Sequence, residues 1–275
     1  MIKLRYSIVL LLGLLVLGGC SGATGEEKLD WIPAEVTPVA EKETPAADNV
    51  QQPEENNAEE EKEEITYPVA ENVLVIGNSI TLGFGTHGMA SSAVNTDYYY
   101  LLQQYLVNLN PDLKMKRIAG YGWESSVTTE ERLDFLEKCV RPEISEECDL
   151  IIIQLGDNVN TPEKQATFTT DADKFLEWIK LEYPDTRVLW VFGRYNLSNG
   201  TAIQAACKKH GAEYVDISII SSDEKYKAKV NDRYEKADGT IGIIDDPGVA
   251  SHPNDEGMKV IYELIIKQLN YKEEN

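Results

Sequence analysis

Ser79 in Gly77-Asn78-Ser79 and His252 in Ser251-His252-Pro253 are the residue types that covalent acyl chemistry uses as nucleophile and base. A serine hydroxyl attacks poorly until an imidazole takes its proton, and the same imidazole later protonates the leaving alcohol. Two further segments lie between them, Gly120-Tyr121-Gly122-Trp123-Glu124 and Gly156-Asp157-Asn158. Each piece alone has a plainer reading. Ser79 suits a helix N-cap, Asn158 a turn in which its side chain satisfies backbone, and His252 an exposed turn before proline. His87 and His210 match no motif and read as structural or exposed. The run Tyr98-Tyr99-Tyr100 reads as helix packing ahead of a sugar platform.

The elements around these pieces say whether they can meet. Val73–Ile76, Met115–Ile118, Leu150–Ile153, Val188–Phe192 and Tyr214–Ile217 are short apolar runs. Their near-continuous apolar character predicts strands covered on both faces, not strands with one wet side. Helical spacing falls between them. Tyr98–Leu109, Thr128 to about Val140, a helix from Pro162 with Phe168, Phe175, Leu176 and Ile179 inward, and Ala202–Lys209 separate the runs. Met258–Leu269 closes the chain with Val260, Ile261, Leu264 and Ile265 inward. This alternation predicts an α/β fold, a three-layer α/β/α sandwich on a five-stranded parallel sheet. Ligands in such folds bind beyond the carboxyl ends of the strands. The Ser79, Gly120–Glu124 and Asn158 segments each follow a predicted strand.

The amino end is of another kind. A basic head (Lys3, Arg5), the aliphatic stretch Ile8–Leu17 and Leu17-Gly18-Gly19-Cys20 describe a secretory signal over residues 1–19. A spanning helix needs roughly 20 apolar residues, which favours the signal over a permanent anchor. Leu-Gly-Gly-Cys resembles the lipobox of bacterial lipoproteins, which implies cleavage before Cys20 and lipidation of its thiol. The expected location is then the cell surface or another extracytoplasmic site, lipid-anchored to the bacterial membrane. Residues 20–64, rich in Glu, Pro, Ala, Asn and Gln, read as an acidic disordered tether, and residues 65–275 as one domain. The net charge of −21 argues against nucleic acid as a partner, since phosphate backbones demand clustered Lys and Arg. Of the remaining cysteines, Cys139 and Cys148 close the shortest possible disulfide loop, with three buried free thiols at Cys139, Cys148 and Cys207 an equal alternative. No CxxC or Cys/His cluster suggests zinc, so no metal and no cofactor is expected.

Taken together, Gly-Asn-Ser79, a glycine after the second strand, Gly-Asp-Asn158 and His252 before a final helix resemble the blocks of the SGNH (GDSL-like) hydrolase family. The resemblance spans roughly residues 70–270 and implies the flavodoxin-like sandwich already read from the pattern. It implies Ser79 as nucleophile and His252 as base. It also implies an oxyanion hole built from the Ser79 N–H, a glycine N–H and the Asn158 amide. Gly122 is preferred for the glycine because Trp123-Glu124 follows it, with Gly120 the close rival.

One position departs from the family pattern. The aspartate usual three residues before the histidine is Val249 here, and the nearest upstream carboxylates are Asp245 and Asp246, with Asp255 downstream. Three readings stay open: Asp246 reaches the ring as the third catalytic member, a backbone carbonyl replaces the acid, or the enzyme is crippled. A Ser79–His252 pair is favoured, with Asp246 as the candidate third catalytic member. The expected activity is hydrolysis of small acyl esters, O-acetyl foremost, on carbohydrate, with Tyr121 and Trp123 as candidate sugar-stacking rings. The alternative is a non-catalytic glycan-binding lipoprotein that keeps the fold. Oligomeric state is open.

Overall fold

The computed structural model describes residues 67–271. The signal, Cys20 and the acidic tether lie outside the described residues. Five strands, β1 (Asn72–Gly77), β2 (Lys114–Ala119), β3 (Leu150–Gln154), β4 (Arg187–Phe192) and β5 (Glu213–Asp216), form one parallel sheet in the order β2-β1-β3-β4-β5. The register of the central pair sets Val73 opposite Leu150 and Gly77 opposite Gln154. The predicted sandwich is therefore the fold observed.

Period-two alternation assigns each strand residue to one of two cores. Leu74, Ile76, Ile151, Ile153, Trp190 and Phe192 face one layer of helices. That layer holds α3 (Tyr121–Ser125), α4 (Thr129–Phe135), α6 (Phe168–Glu182) and α7 (Gly200–His210). Val73, Val75, Ile152, Leu189 and Val191 face the opposite layer, α2 (Tyr98–Leu109) and α10 (Asp255–Leu269). Burial of β1, β3 and β4 on both faces explains why they read as unbroken Val/Ile/Leu runs. The edge strand β2 instead carries Lys114 and Lys116, charges that discourage pairing with another chain.

Three details differ from the sequence reading. The helix expected from Pro162 divides into α5 (Pro162–Gln165) and α6. The break puts the Thr167 hydroxyl between Arg132 and Asp171, accepting from Arg132 Nη1 at 3.2 Å and donating to Asp171 at 2.6 Å. A hairpin, β6 (Arg233–Glu235) with β7 (Ile241–Ile243), had not been expected. The three described cysteines are free, so of the two readings the free thiols hold, with Cys148 and Cys207 buried but Cys139 exposed.

The strand order changes direction between β1 and β3. Such a switch point opens a crevice at the carboxyl ends of the two strands. Ser79 follows β1 and Asn158 follows β3.

Candidate active site

Ser79 opens the single-turn helix α1 (Ser79–Leu82), directly after β1. Asn78 occupies the N-cap position, so Ser79 is not the capping residue. As the first helical residue, Ser79 has a backbone N–H with no acceptor inside the helix. The turn needs Gly77, because a Cβ there would lie 1.9 Å from Thr81 Oγ1. Thr81 is buried and hydrogen-bonds the Tyr98 hydroxyl at 2.7 Å. Tyr98 therefore packs beneath the serine turn and offers no sugar platform.

His252 comes from the other end of the domain, between α9 (Pro247–Ala250) and α10. Its Nε2 lies 2.9 Å from Ser79 Oγ, across 173 residues of sequence. Its Nδ1 lies 2.9 Å from the carbonyl oxygen of Gly248. A carbonyl only accepts, so Nδ1 carries the proton and Nε2 is left as an acceptor for the serine hydroxyl. That is the tautomer in which the ring can act as a base.

Asp246, expected as the third member, is not on the ring. Its Oδ1 accepts the Val249 N–H at 3.0 Å as the N-cap of α9, and the Gly248 carbonyl occupies the position a carboxylate would take. One turn of helix between Asp246 and His252 presents a backbone oxygen to the ring in place of the side chain. Asp255 is likewise elsewhere, accepting from the Ser92 and Thr96 hydroxyls at 2.6 and 2.8 Å.

The His252 pKa lies below its ordinary value. Burial is the main cause; the ring's hydrogen bonds to the Gly248 and Val249 backbone act against it, and the Arg194 cation adds to it. Arg194 and Tyr195, at the end of β4, were not singled out in the sequence. The buried Arg194 donates from Nη2 to the Ser251 carbonyl, next to the catalytic candidate. The Tyr195 ring sits 5.1 Å from the imidazole, centroid to centroid. The strand-end rule, applied to Phe192-Gly193-Arg194, would have found them: a charged residue directly follows an apolar strand.

Asn158 follows β3. Its side-chain Nδ2 donates to Glu124 Oε2 at 2.9 Å, which uses one of its two N–H groups. Of the two candidate glycines, Gly120 donates its N–H to the Gly77 carbonyl at 2.6 Å, extending the β1–β2 pairing. Gly122 lies in the first turn of α3, where an N–H has no acceptor within the helix. Trp123 is fully buried against Phe168, Phe175 and Trp190, so it belongs to the core and not to a sugar subsite. Tyr121 is 64 % exposed.

Asp157, next to Asn158 in the chain, is buried and accepts the Tyr195 N–H at 2.8 Å and the Gln154 amide at 3.1 Å. Desolvation pushes its pKa up to about 6, against the pull of the Tyr195 hydrogen bond. His87 is buried beside Thr86, and His210 bonds Asp173 at 2.8 Å.

A serine and a neutral imidazole in hydrogen-bond contact, below an amide donor at a switch point, are the parts of an acyl-transfer site. The family model of the GDSL-like lipase/acylhydrolases matches residues 75–260, a span that holds Ser79, Gly122, Asn158 and His252. The chain belongs to this family. The GDSL-like hydrolases act on esters, and this chain is an ester hydrolase by family.

Solved structures with a similar fold include phospholipase A1 from Streptomyces albidoflavus NA297, at 16 % identity and a TM-score of 0.46, covering 72 % of this chain and 99 % of that one. A family two carbohydrate esterase from Clostridium thermocellum, determined with cellohexaose, has 17 % identity and a TM-score of 0.47, covering 74 % of this chain and 64 % of that one. The acetyl xylan esterase Est2A from Butyrivibrio proteoclasticus has 14 % identity and a TM-score of 0.45, covering 74 % and 64 %. This GDSL-like chain thus spans just under two thirds of the length of these two carbohydrate esterases. No curated protein matches it in sequence.

Proposed function

We propose that the protein is an extracytoplasmic serine esterase that removes small acyl groups, O-acetyl foremost, from carbohydrate. The observation that carries this reading is the 2.9 Å contact between Ser79 Oγ and His252 Nε2, with the opposite ring nitrogen held by the Gly248 carbonyl.

In the proposed reaction His252 takes the Ser79 proton as Oγ attacks the ester carbonyl. The resulting oxyanion is met by the Ser79 N–H, the Gly122 N–H and the second N–H of the Asn158 amide. Collapse expels the alcohol with the proton returned from His252 and leaves acyl-Ser79. Water, deprotonated by the same ring, then releases the acid and restores the serine. No cofactor or metal enters. A carbonyl stabilises the imidazolium less than a carboxylate would; loss of the acid from a working triad costs about 10⁴-fold. Here burial and the Gly248 bond hold the ring in the reactive tautomer instead.

The exposed rings of Tyr121, on the segment that carries Gly122, and of Tyr195, beside His252, are 64 % and 37 % accessible and offer stacking surfaces for a sugar. The signal over residues 1–19 and lipidation at Cys20 would set the enzyme at the membrane surface, where acylated polymers are within reach of a tethered domain. Metabolic labelling with palmitate tests that part: label in the parent and none in Cys20→Ser is expected, and a labelled Cys20→Ser would refute it.

The competing reading, a glycan-binding relic, is favoured by the lack of a carboxylate on His252. A fluorophosphonate separates the two, since the esterase gives a Ser79 adduct and a relic with no activated serine gives none.

A further inference from the structure

Glu124 is the most heavily hydrogen-bonded carboxylate near the site, and the reaction itself makes no use of it. It is 1 % exposed. Its Oε1 accepts the backbone N–H groups of Gly156 at 2.6 Å and Asn158 at 3.1 Å. Its Oε2 accepts the side-chain amides of Asn78 at 2.5 Å and Asn158 at 2.9 Å. A single side chain from α3 thus ties the turn before Ser79 to the loop that carries Asn158. Gly156 takes part through a φ of +122°, a conformation that favours glycine and brings its N–H to the carboxylate.

A negative charge behind an oxyanion hole works against the developing charge, so the benefit of a carboxylate here must be geometric. Binding one N–H of the Asn158 amide fixes the amide plane and with it the direction of the second N–H. An unanchored amide would have to be ordered during the reaction, and a donor displaced by 1 Å costs about 10²-fold in rate. The same geometry accounts for Asn78. An aspartate there would set a second, half-buried carboxylate against Glu124, whereas the Asn78 amide donates to it.

We propose that Glu124 is the positioning residue of the oxyanion hole, aligning Asn158 directly and the Ser79 turn through Asn78. This inference rests on the reading of Ser79 as the nucleophile. Its test is a cycle on the full chain with Glu124→Gln, Asn158→Ala and the double variant, assayed with p-nitrophenyl acetate. Glu124→Gln keeps the shape but turns an NH₂ toward two amide donors. The expected result is a kcat loss of about 10²-fold with KM changed less than about threefold. The pH midpoint set by His252 stays where it is in the parent, and little further loss occurs when the change is made on top of Asn158→Ala. Full kcat in Glu124→Gln, or equal losses in both backgrounds, would overturn the proposal.

Should Glu124→Gln fail to fold, Asn78→Asp probes the same carboxylate from its other side and should lower kcat with KM held. Parental kcat in Asn78→Asp would equally overturn it. Hydrogen exchange of the Asn158 side-chain amide gives a readout free of turnover. Protection in the parent and its loss in either variant supports the inference even if no ester is hydrolysed; an unprotected parental amide contradicts it. Absence of hydrolysis in the parent counts against the esterase reading alone.

Discussion

His252 works here under two constraints, burial that disfavours its charge and a carbonyl partner that favours its Nδ1 proton. With the folded pKa below the ordinary 6.5, the neutral base persists to lower pH than for a solvated histidine. The acidic limb of the kcat/KM profile should therefore have its midpoint below 6.5. Removing the Arg194 cation, as in Arg194→Gln, should move that midpoint upward; an unmoved midpoint would separate Arg194 from the ring. Asp246 gives the complementary prediction. As a helix cap that does not touch the ring, it should tolerate Asn, an equally good cap, with kcat within about threefold and little change in Tm. A tenfold loss of kcat in Asp246→Asn would return it to the catalytic set. The sequence separation of Ser79 and His252 hid nothing, because the strand-end setting marked Ser79 and the Ser-His-Pro segment before the final helix marked His252. What could not be read was the ring's second partner, since a backbone carbonyl leaves no side-chain signature.

At the scale of elements, the loops after β1, β3 and β4 hold the site through buried polar contacts, and two of these carry measurable consequences. Gly77 leaves room for Thr81, so Gly77→Ala forces a methyl against the Thr81 side chain. Overpacking of this kind costs about 1–3 kcal/mol. The turn also presents Ser79, so Tm and kcat should fall together; a variant with parental kcat would show that the turn tolerates the shift. Asp157 bridges the β3 and β4 loops with its pKa raised from 3.8 to about 6. The folded state then binds this proton more tightly than the unfolded state. Its contribution to stability is therefore greatest below pH about 4 and declines as pH rises through about 6, by about 3 kcal/mol in all. Asp157→Asn does not titrate, so the Tm difference, variant minus parent, should grow more positive from pH 4 to 7. A difference flat in pH would contradict the assignment.

The strands of this sheet were legible because β1, β3 and β4 are apolar on both faces. The β6–β7 hairpin was not, since three-residue strands such as Arg233–Glu235 are too short to show a period. Trp123 misled for a related reason: its neighbour Tyr121 is exposed, and sequence adjacency does not reveal that a step of two residues, about half a turn of α3, sends the two rings to opposite environments. Glu124 was visible as a residue and invisible as a hub, because its four donors come from two other loops.

For the whole molecule, residues 67–271 supply two hydrophobic cores of their own, one on each face of the sheet. Removal of residues 1–64 should then leave Tm and the kinetics on soluble esters unchanged; a drop in Tm of more than a few degrees would show that the domain draws stability from that segment. The central claim is that one serine and one histidine, joined by the fold from opposite ends of the domain, hydrolyse esters without a carboxylate. Hydrolysis of p-nitrophenyl acetate by the parent, Ser79→Ala and His252→Ala tests it most directly. The account predicts turnover in the parent and its loss, by about 10³-fold or more, in both variants. Turnover that persists in Ser79→Ala, or none in the parent, would contradict it.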